Sequence, residues 1–573
     1  MTDNIKLADY LFTRLVQLGV GSIFGVPGDY NLRLLDYVVP AGLHWVGNCN
    51  ELNAAYAADG YSRINGLSAL ITTFGVGELS AANGIAGAYA ERSPVVHIVG
   101  TPPRPLQDSR ALMHHTFADG EYGRFAAMST HITVAQTKLV DAQTAPDKID
   151  WILQQALIHS RPVYLELPDD MPGVLVSSAN LKTPLSVPKI PSPAHEPQVL
   201  SRILERVYSA KQPVILVDGE SRALGILDQL DTLIKATNWP TFVPVFGKGL
   251  VNESYDNVYG LYAAGFGDEL AKKYFESADL ILTFGPHYSD TNTYFWTTVP
   301  KDALAITFKD STIQIESETY RDISPASVLS QLLQSLDSSQ IINPTGPPKQ
   351  VVTTEDINDT DIIAQKNFFR LVNPIFGEGD IILTETGTAA YGGRTFKLPP
   401  KARLFGAITW LSIGFMLPCT LGAALAKREQ NAATGASNQT TLIIGDGSLQ
   451  MTAQEISVMI KEKLNILIII INNEGYTIER VIHGRKEKYN DVPFWRHTQA
   501  LSYFGADEEH VKENTWTAKT CGELQEILRN DRVHSGQGVR ILEVMMDRED
   551  VQEGPLLYML NKQKAEEAAA AGN

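Results

Sequence analysis

Residues 441–479 read TLIIGDGSLQMTAQEISVMIKEKLNILIIIINNEGYTIE. Residues 442–444 form a short apolar run that suits a strand. Gly445-Asp446-Gly447 reads as a tight turn. Ser448 is placed to cap a helix whose apolar residues fall at Leu449, Ala453, Ile456 and Ile460, the spacing of one buried stripe. The purely apolar run at 466–471 suits a strand buried on both faces, and it ends in Asn472-Asn473-Glu474-Gly475. Strand, helix and strand make one βαβ unit, and a right-handed crossover sets the two strands parallel. Asp446 and Asn473 lie 473 − 446 = 27 positions apart. Both nevertheless stand at carboxyl ends of strands, on the edge where open α/β sheets bind ligands.

An Asp carboxylate, an Asn amide oxygen and a backbone carbonyl are hard oxygen donors, suited to Mg²⁺ or Ca²⁺ and not to zinc. Mg²⁺ usually keeps coordination positions for phosphate oxygens. A helix beginning after Gly447 adds amides that favour anions. Either residue alone has an ordinary explanation, a turn Asp or a capping Asn; their joint placement points to a metal. Glu479, taken alone, reads as a solvated acid in a first helical turn.

Three further clusters lie upstream. Gly25-Val26-Pro27-Gly28-Asp29-Tyr30 follows the strand-like run 22–24 and alone reads as a βα turn. Asn48-Cys49-Asn50-Glu51 reads as the end of a strand opening the Ala-rich helix 52–58, with Glu51 complementing the helix dipole. His114-His115 lies in a loop between Arg110 and Phe117. Such a pair is often only a solvated loop, yet histidine titrates where proton transfer needs it. The stretch Gly75-Val76-Gly77-Glu78-Leu79-Ser80 lacks the third glycine of a dinucleotide fingerprint and is assigned to close helix–sheet packing. Neither a Walker-type G-K-[ST] nor a G-x-S-x-G elbow occurs.

Other continuous apolar runs, at 70–73, 95–99, 163–167, 214–217, 280–283 and 381–383, alternate with helical stretches, the mark of parallel α/β sheets. Pro-rich stretches at 177–198 and 338–355 divide the chain. The expected organisation is three consecutive α/β domains, each a parallel sheet flanked by helices, at 1–180, 195–340 and 356–563, with a flexible tail at 564–573. A length of 573 residues, with 44% hydrophobic and 20% charged residues, fits a soluble multidomain protein. The charge of 48 − 65 = −17 argues against nucleic acid and anionic membrane partners. Cys49, Cys419 and Cys521 are too few and too far apart for a disulfide framework or a C-x-x-C metal cluster. With no signal-peptide core, no apolar run long enough for a bilayer and no targeting tripeptide, a cytoplasmic location is expected.

Taken jointly, GVPGDYN at 25–31, NELNAAYAADGYSR at 50–63, HHT at 114–116, ETGT at 385–388, SIGF at 412–415, GDGSLQ at 445–450 and NNEGYTIE at 472–479 resemble the thiamine-diphosphate-dependent 2-oxo acid decarboxylases, most closely the branch that acts on pyruvate. The resemblance spans essentially the whole chain in the same order. It implies non-oxidative decarboxylation, with thiamine diphosphate as the electron sink and Mg²⁺ held by Asp446, Asn473 and the Gly475 carbonyl. By the same resemblance Glu51 hydrogen-bonds the aminopyrimidine, Ile413 bends the cofactor, and the backbones of Leu411 and Ile413 grip it. Thr388, Gly447, Ser448 and Tyr476 complete the cofactor site. Asp29, His114, His115 and Glu479, with Glu51, handle protons, while Thr386, Thr291, Ala390 and Ile478 wall the substrate pocket. The resemblance further implies a homodimer with shared active sites, or a dimer of dimers.

Some positions depart from the family pattern. Leu411 stands where glycine is usual, and Thr291 where an aromatic residue often narrows the pocket. Residues 217–222 lack the cysteine some relatives carry, which argues against cysteine-based substrate activation. Pyruvate is thus the first expectation, with aromatic or branched 2-oxo acids as competitors. An acetolactate-synthase-like carboligase, a non-catalytic assembly protein and a nicotinamide-dependent oxidoreductase are the remaining alternatives.

Overall fold

The computed structural model describes residues 4–188 and 190–571. Its first sheet has six parallel strands, in the spatial order His44–Trp45, Ser22–Gly25, Ser68–Thr73, Val95–Thr101, Val163–Pro168 and Gln136–Lys138. The last sheet, also six parallel strands, runs Arg403–Gly406, Ile381–Thr384, Thr440–Gly445, Ile466–Asn472, Val539–Met545 and Thr515–Ala518. Numbered along the chain within each sheet, both follow the order 2-1-3-4-6-5. Between them lies a seven-stranded sheet whose first five strands are parallel and whose last two, Thr312–Ile315 and Glu318–Arg321, form an antiparallel edge. The chain is therefore three α/β domains with mostly parallel sheets. The central strands are buried along their whole length, which is why their sequences are continuous apolar runs. Between Lys182 and Glu196, and between Ser335 and Gln365, the described residues form no helix or strand.

The first and last domains meet through a pair of topologically equivalent helices. Helix α1 (Glu51–Asn65) joins the second and third strands of its sheet. It starts where the Asn50 side chain accepts the Asn53 amide, and it ends at Gly66 with φ +90°. Helix α2 (Val76–Ala90) follows the third strand. Helix α3 (Met416–Thr434) occupies in the last domain the place that α1 occupies in the first. Helices α1 and α3 touch backbone to backbone. A Cβ on Gly60 would stand 2.1 Å from the Cys419 carbonyl oxygen, and one on Gly422 would stand 1.8 Å from that of Ala57. The apolar residues of both helices merge into one core with both sheets.

Several expectations change. The helix after Gly445 starts at once, as α4 (Asp446–Thr452), with no separate turn. Gly445 is its N-cap, and the Asp446 carboxylate itself accepts the Gly447 amide at 2.9 Å. Ser448 lies inside the first turn and caps nothing. The helix breaks into a 3-10 turn at Ala453–Glu455 before resuming at Ile456. That break turns the buried Glu455 toward Asn48 and Asn53, which donate to it at 2.7 and 2.8 Å. The strand before α1 ends at Trp45, and α1 runs well past residue 58. The tail expected at 564–573 is helical as far as Ala571, within α6 (Pro555–Ala571); residues 572–573 lie outside the described residues. Helix α6 packs on α5 (Thr477–Ile482), where Gln563 donates to the Arg480 carbonyl at 2.9 Å and also to that of Val481. Arg485 pairs with Glu549 at 2.6 Å and with Glu567 on α6. Among the described residues no helix is long and apolar enough to cross a membrane.

Candidate active site

Asp446 and Asn473 directly follow the carboxyl ends of neighbouring strands, as their spacing predicted. Asp446 is 2% exposed, and burial pushes its carboxyl up to about 6. Its second oxygen accepts the Gly475 amide at 3.1 Å. Gly475 has φ +134°, and a Cβ there would meet the Asn490 carbonyl oxygen at 2.2 Å, so only glycine fits. The Asn473 amide can sit two ways. In one, its nitrogen donates to the Gly475 carbonyl at 3.0 Å and to Asp446 Oδ1 at 3.2 Å, while its oxygen accepts from Thr477. In the other, its nitrogen donates to Thr477 at 2.8 Å and its oxygen faces those same two oxygens. The Asn473 oxygen then stands from each of the other two at the spacing of adjacent ligands of an octahedron with metal–oxygen distances of about 2.1 Å. The donor set fits Mg²⁺, and the second orientation needs a cation to hold it.

One cavity is lined by Thr386, Thr388, Ile413, Asp446, Gly447, Ser448, Asn473, Gly475, Tyr476, Ile478 and Glu479. Gly447 is required where the Tyr476 ring crosses it, since a Cβ would lie 2.6 Å from that ring. The buried Thr386 hydroxyl has no hydrogen-bond partner, an orphan on the cavity wall. The segment just after Ile413 is braced by Glu385, for which the motifs suggest no role. Glu385 is fully buried and accepts the Thr386 and Met416 amides, each at 2.8 Å. Desolvation pushes its carboxyl up to about 7. The available signal was an acid at a strand's carboxyl end, just before Gly387. Leu411 has φ +52°, which explains why glycine suits that position. Its side chain lies in a separate cleft with Tyr56, Trp410 and Phe415.

The other expected proton-handling residues lie on the first domain. Asp29 follows the strand Ser22–Gly25, and its carboxylate meets His114 Nε2 and lies 3.8 Å from His115 Nε2. The two imidazoles meet edge to face, 4.7 Å apart. One ligand atom from each of the three residues lies within 4.8 Å of the others. His115 has φ +68°, and its carbonyl lies over Gly75, where a Cβ would stand 2.2 Å away. The stretch assigned to packing thus supports the histidine loop. Glu51 opens α1 half-buried, with its carboxylate above Gly77.

Within one chain the two groups do not meet. None of Asp29, Glu51, His114 or His115 lines the cavity around Asp446. Thr291 hydrogen-bonds through its hydroxyl to the Ile408 carbonyl, bridging the middle and last domains. Ala390 lines a different cavity, beside Arg222 and Arg394.

Three α/β domains, a set of hard-oxygen donors beside a cavity and a separate Asp–His–His cluster are features of a cofactor-dependent enzyme class. Three family models match: the thiamine pyrophosphate enzyme N-terminal TPP binding domain at residues 5–121, the central domain at 200–336 and the C-terminal TPP binding domain at 385–533. The chain is 50% identical over 99% of both chains to a pyruvate decarboxylase of Aspergillus parasiticus. It is 39% identical to that of Kluyveromyces lactis over 96% of each chain. It is 38% identical to pyruvate decarboxylase isozyme 1 of Saccharomyces cerevisiae, over 95% of this chain and 96% of that one. An X-ray structure from Mycobacterium smegmatis, described as a thiamin diphosphate-dependent enzyme, superposes with a TM-score of 0.73 at 18% identity, covering 95% of this chain and all of the other. The chain belongs to the thiamine pyrophosphate enzymes, as a 2-oxo acid decarboxylase close to the fungal pyruvate decarboxylases.

Proposed function

We propose that the chain decarboxylates pyruvate to acetaldehyde and CO₂ with thiamine diphosphate and Mg²⁺. The convergence of the Asp446, Asn473 and Gly475 oxygens beside a cavity in a chain of this family carries the reading. Thiamine diphosphate, when bound, supplies an electron sink for the charge left as CO₂ departs. Asp446, Asn473 and the Gly475 carbonyl hold the cation. Thr388, Gly447, Ser448 and Tyr476 surround the diphosphate end. Ile413 stands against the cofactor as a wedge, and the Leu411 and Ile413 backbones grip the pyrimidine. Thr386 and Ile478 face the substrate, with Thr291 and Ala390 further out. Glu479 and, from a second copy of the chain, Asp29, Glu51, His114 and His115 take up and return protons; such steps contribute roughly 10²–10⁴-fold each.

The active unit is a homodimer with shared sites, since a single chain leaves the histidine pair away from the cavity. A dimer of dimers keeps the same arrangement. A cytoplasmic location fits three cysteines that all remain free.

The test is aldehyde release from cofactor-stripped protein, with and without thiamine diphosphate and Mg²⁺, comparing pyruvate, phenylpyruvate and 4-methyl-2-oxopentanoate. Turnover of pyruvate that needs both additions is expected. A preference for the bulkier acids would keep the chemistry and change the substrate. No turnover of any of the three would sink the reading.

A further inference from the structure

The Tyr30 hydroxyl lies 3.3 Å from His114 Nδ1 and 3.4 Å from the His114 carbonyl oxygen. Its ring stacks on the His114 imidazole, with centroids 5.0 Å apart and planes 16° from parallel. Tyr30 is 6% exposed and is itself clamped by Phe74, Tyr122 and Phe125. On the far side of the imidazole, Nε2 meets the Asp29 carboxylate. The His114 ring is thus addressed at both nitrogens, by an acid on one and a phenol on the other.

We propose that Tyr30 is the positioning residue that fixes which nitrogen of His114 faces Asp29, and that its hydroxyl satisfies Nδ1 in both protonation states of the ring. In the neutral ring Nδ1 is an acceptor, the phenol donates to it, and Nε2–H points at Asp29. In the imidazolium Nδ1–H is a donor. The phenol then accepts from it and turns its own proton to the His114 carbonyl. Both alternatives lie within reach, so the ring gains and loses a proton without rotating off Asp29. Burial holds the phenol up to about 12, which keeps its proton throughout this range. The other groups facing His114 are the Asp29 carboxylate, the His115 ring at 4.7 Å and, behind Tyr30, the Tyr122 phenol. The Arg33–Asp169 pair at 3.2 Å lies beyond Asp29.

The proposal rests on the acid–base reading of the histidine pair, but its test does not need turnover. Tyr30→Phe keeps the stacked ring and removes only the oxygen. The imidazolium then loses an acceptor for a charged N–H, a larger loss than the neutral ring suffers. His114 is expected to titrate about one pH unit lower than in the unaltered protein, a larger change than that of the coupled His115. Histidine-labelled full-length protein, followed by NMR and assigned with His114→Gln, reads both. In the unaltered protein above its titration, His114 is expected as the Nε2–H tautomer. If His114 titrates at the same pH in Tyr30→Phe, or carries its proton on Nδ1 in the unaltered protein, the proposal fails. Where the holoprotein cleaves pyruvate, the limb of its pH–rate profile governed by His114 moves with the NMR value. If nothing is cleaved, the functional reading falls, while the NMR comparison still decides the role of Tyr30.

Discussion

Individual carboxyl groups carry much of this structure. Glu385 accepts the Thr386 and Met416 amides and so ties the strand end at Thr384 to the start of α3, just past Ile413. Glu385→Gln places an amide donor among those donors. Thiamine diphosphate affinity, titrated into stripped protein, should fall about 10- to 100-fold, the cost usual for support behind a ligand-binding group. Glu78 is another buried acid, accepting the Gly75 amide at 2.8 Å and the Tyr164 hydroxyl at 2.9 Å, and desolvation pushes it up to about 7. Its raised folded value makes its contribution to stability fully present below the unfolded carboxyl range, and lost as pH climbs toward 7. Chemical denaturation of the unaltered protein between pH 4.5 and 7 should therefore lose up to about 1.4 kcal/mol per pH unit through this group. Glu78→Gln should flatten that part of the slope; an identical slope in both proteins would assign the loss elsewhere. Neither role was legible in the sequence. Asp446 and Asn473 were, because a βαβ unit converts sequence spacing into position on a sheet edge. Glu385, Glu78 and Tyr30 act through backbone amides and a histidine supplied by distant segments, and no local pattern encodes such partners.

At the level of elements, strands read well because burial on both faces leaves an unbroken apolar run. Helix starts read less well. The Ser448 cap failed because the Asp446 side chain accepts the first amide itself, and the break at Ala453 accompanies hydrogen bonds from the distant Asn48 and Asn53 to Glu455. The contact of α1 with α3 depends on two glycines that propensity alone counts as helix-weakening. Gly422→Val drives a Cβ into the Ala57 carbonyl oxygen. It should cost about 3 kcal/mol or more, read as a fall in thermal midpoint and soluble yield. An exposed Gly→Ala control, at Gly265, where a Cβ meets nothing within 4 Å, should show no such loss. The carboxy-terminal helix escaped the sequence reading for a related reason: its Ala- and Glu-rich composition suggests fraying, while Gln563 and Glu567 anchor it to residues some 80 positions earlier.

For the whole molecule, three α/β domains in series were legible, since each sheet announces itself independently. The repeat of one strand order in the first and last domains was not, because order is set by crossovers and not by composition. If the catalytic groups are shared between chains, a His114→Gln chain and an Asp446→Ala chain, each inactive alone, should regain activity when refolded together. Random pairing makes half the dimers mixed, each with one intact site, so about a quarter of the unaltered activity is expected. Mixtures that stay inactive would place both groups in the same chain. The junction of the two like domains also has a bearing on biosynthesis. Gly60 waits for Gly422, 422 − 60 = 362 positions later. At about 5–20 residues per second, the ribosome takes tens of seconds to deliver the partner surface. Throughout that interval the newborn first domain presents the small-residue face of α1 to whatever is nearby. Translation speed through the middle domain, and any chaperone at the ribosome, thereby decide how often that face closes on its own chain and how often on a neighbour's.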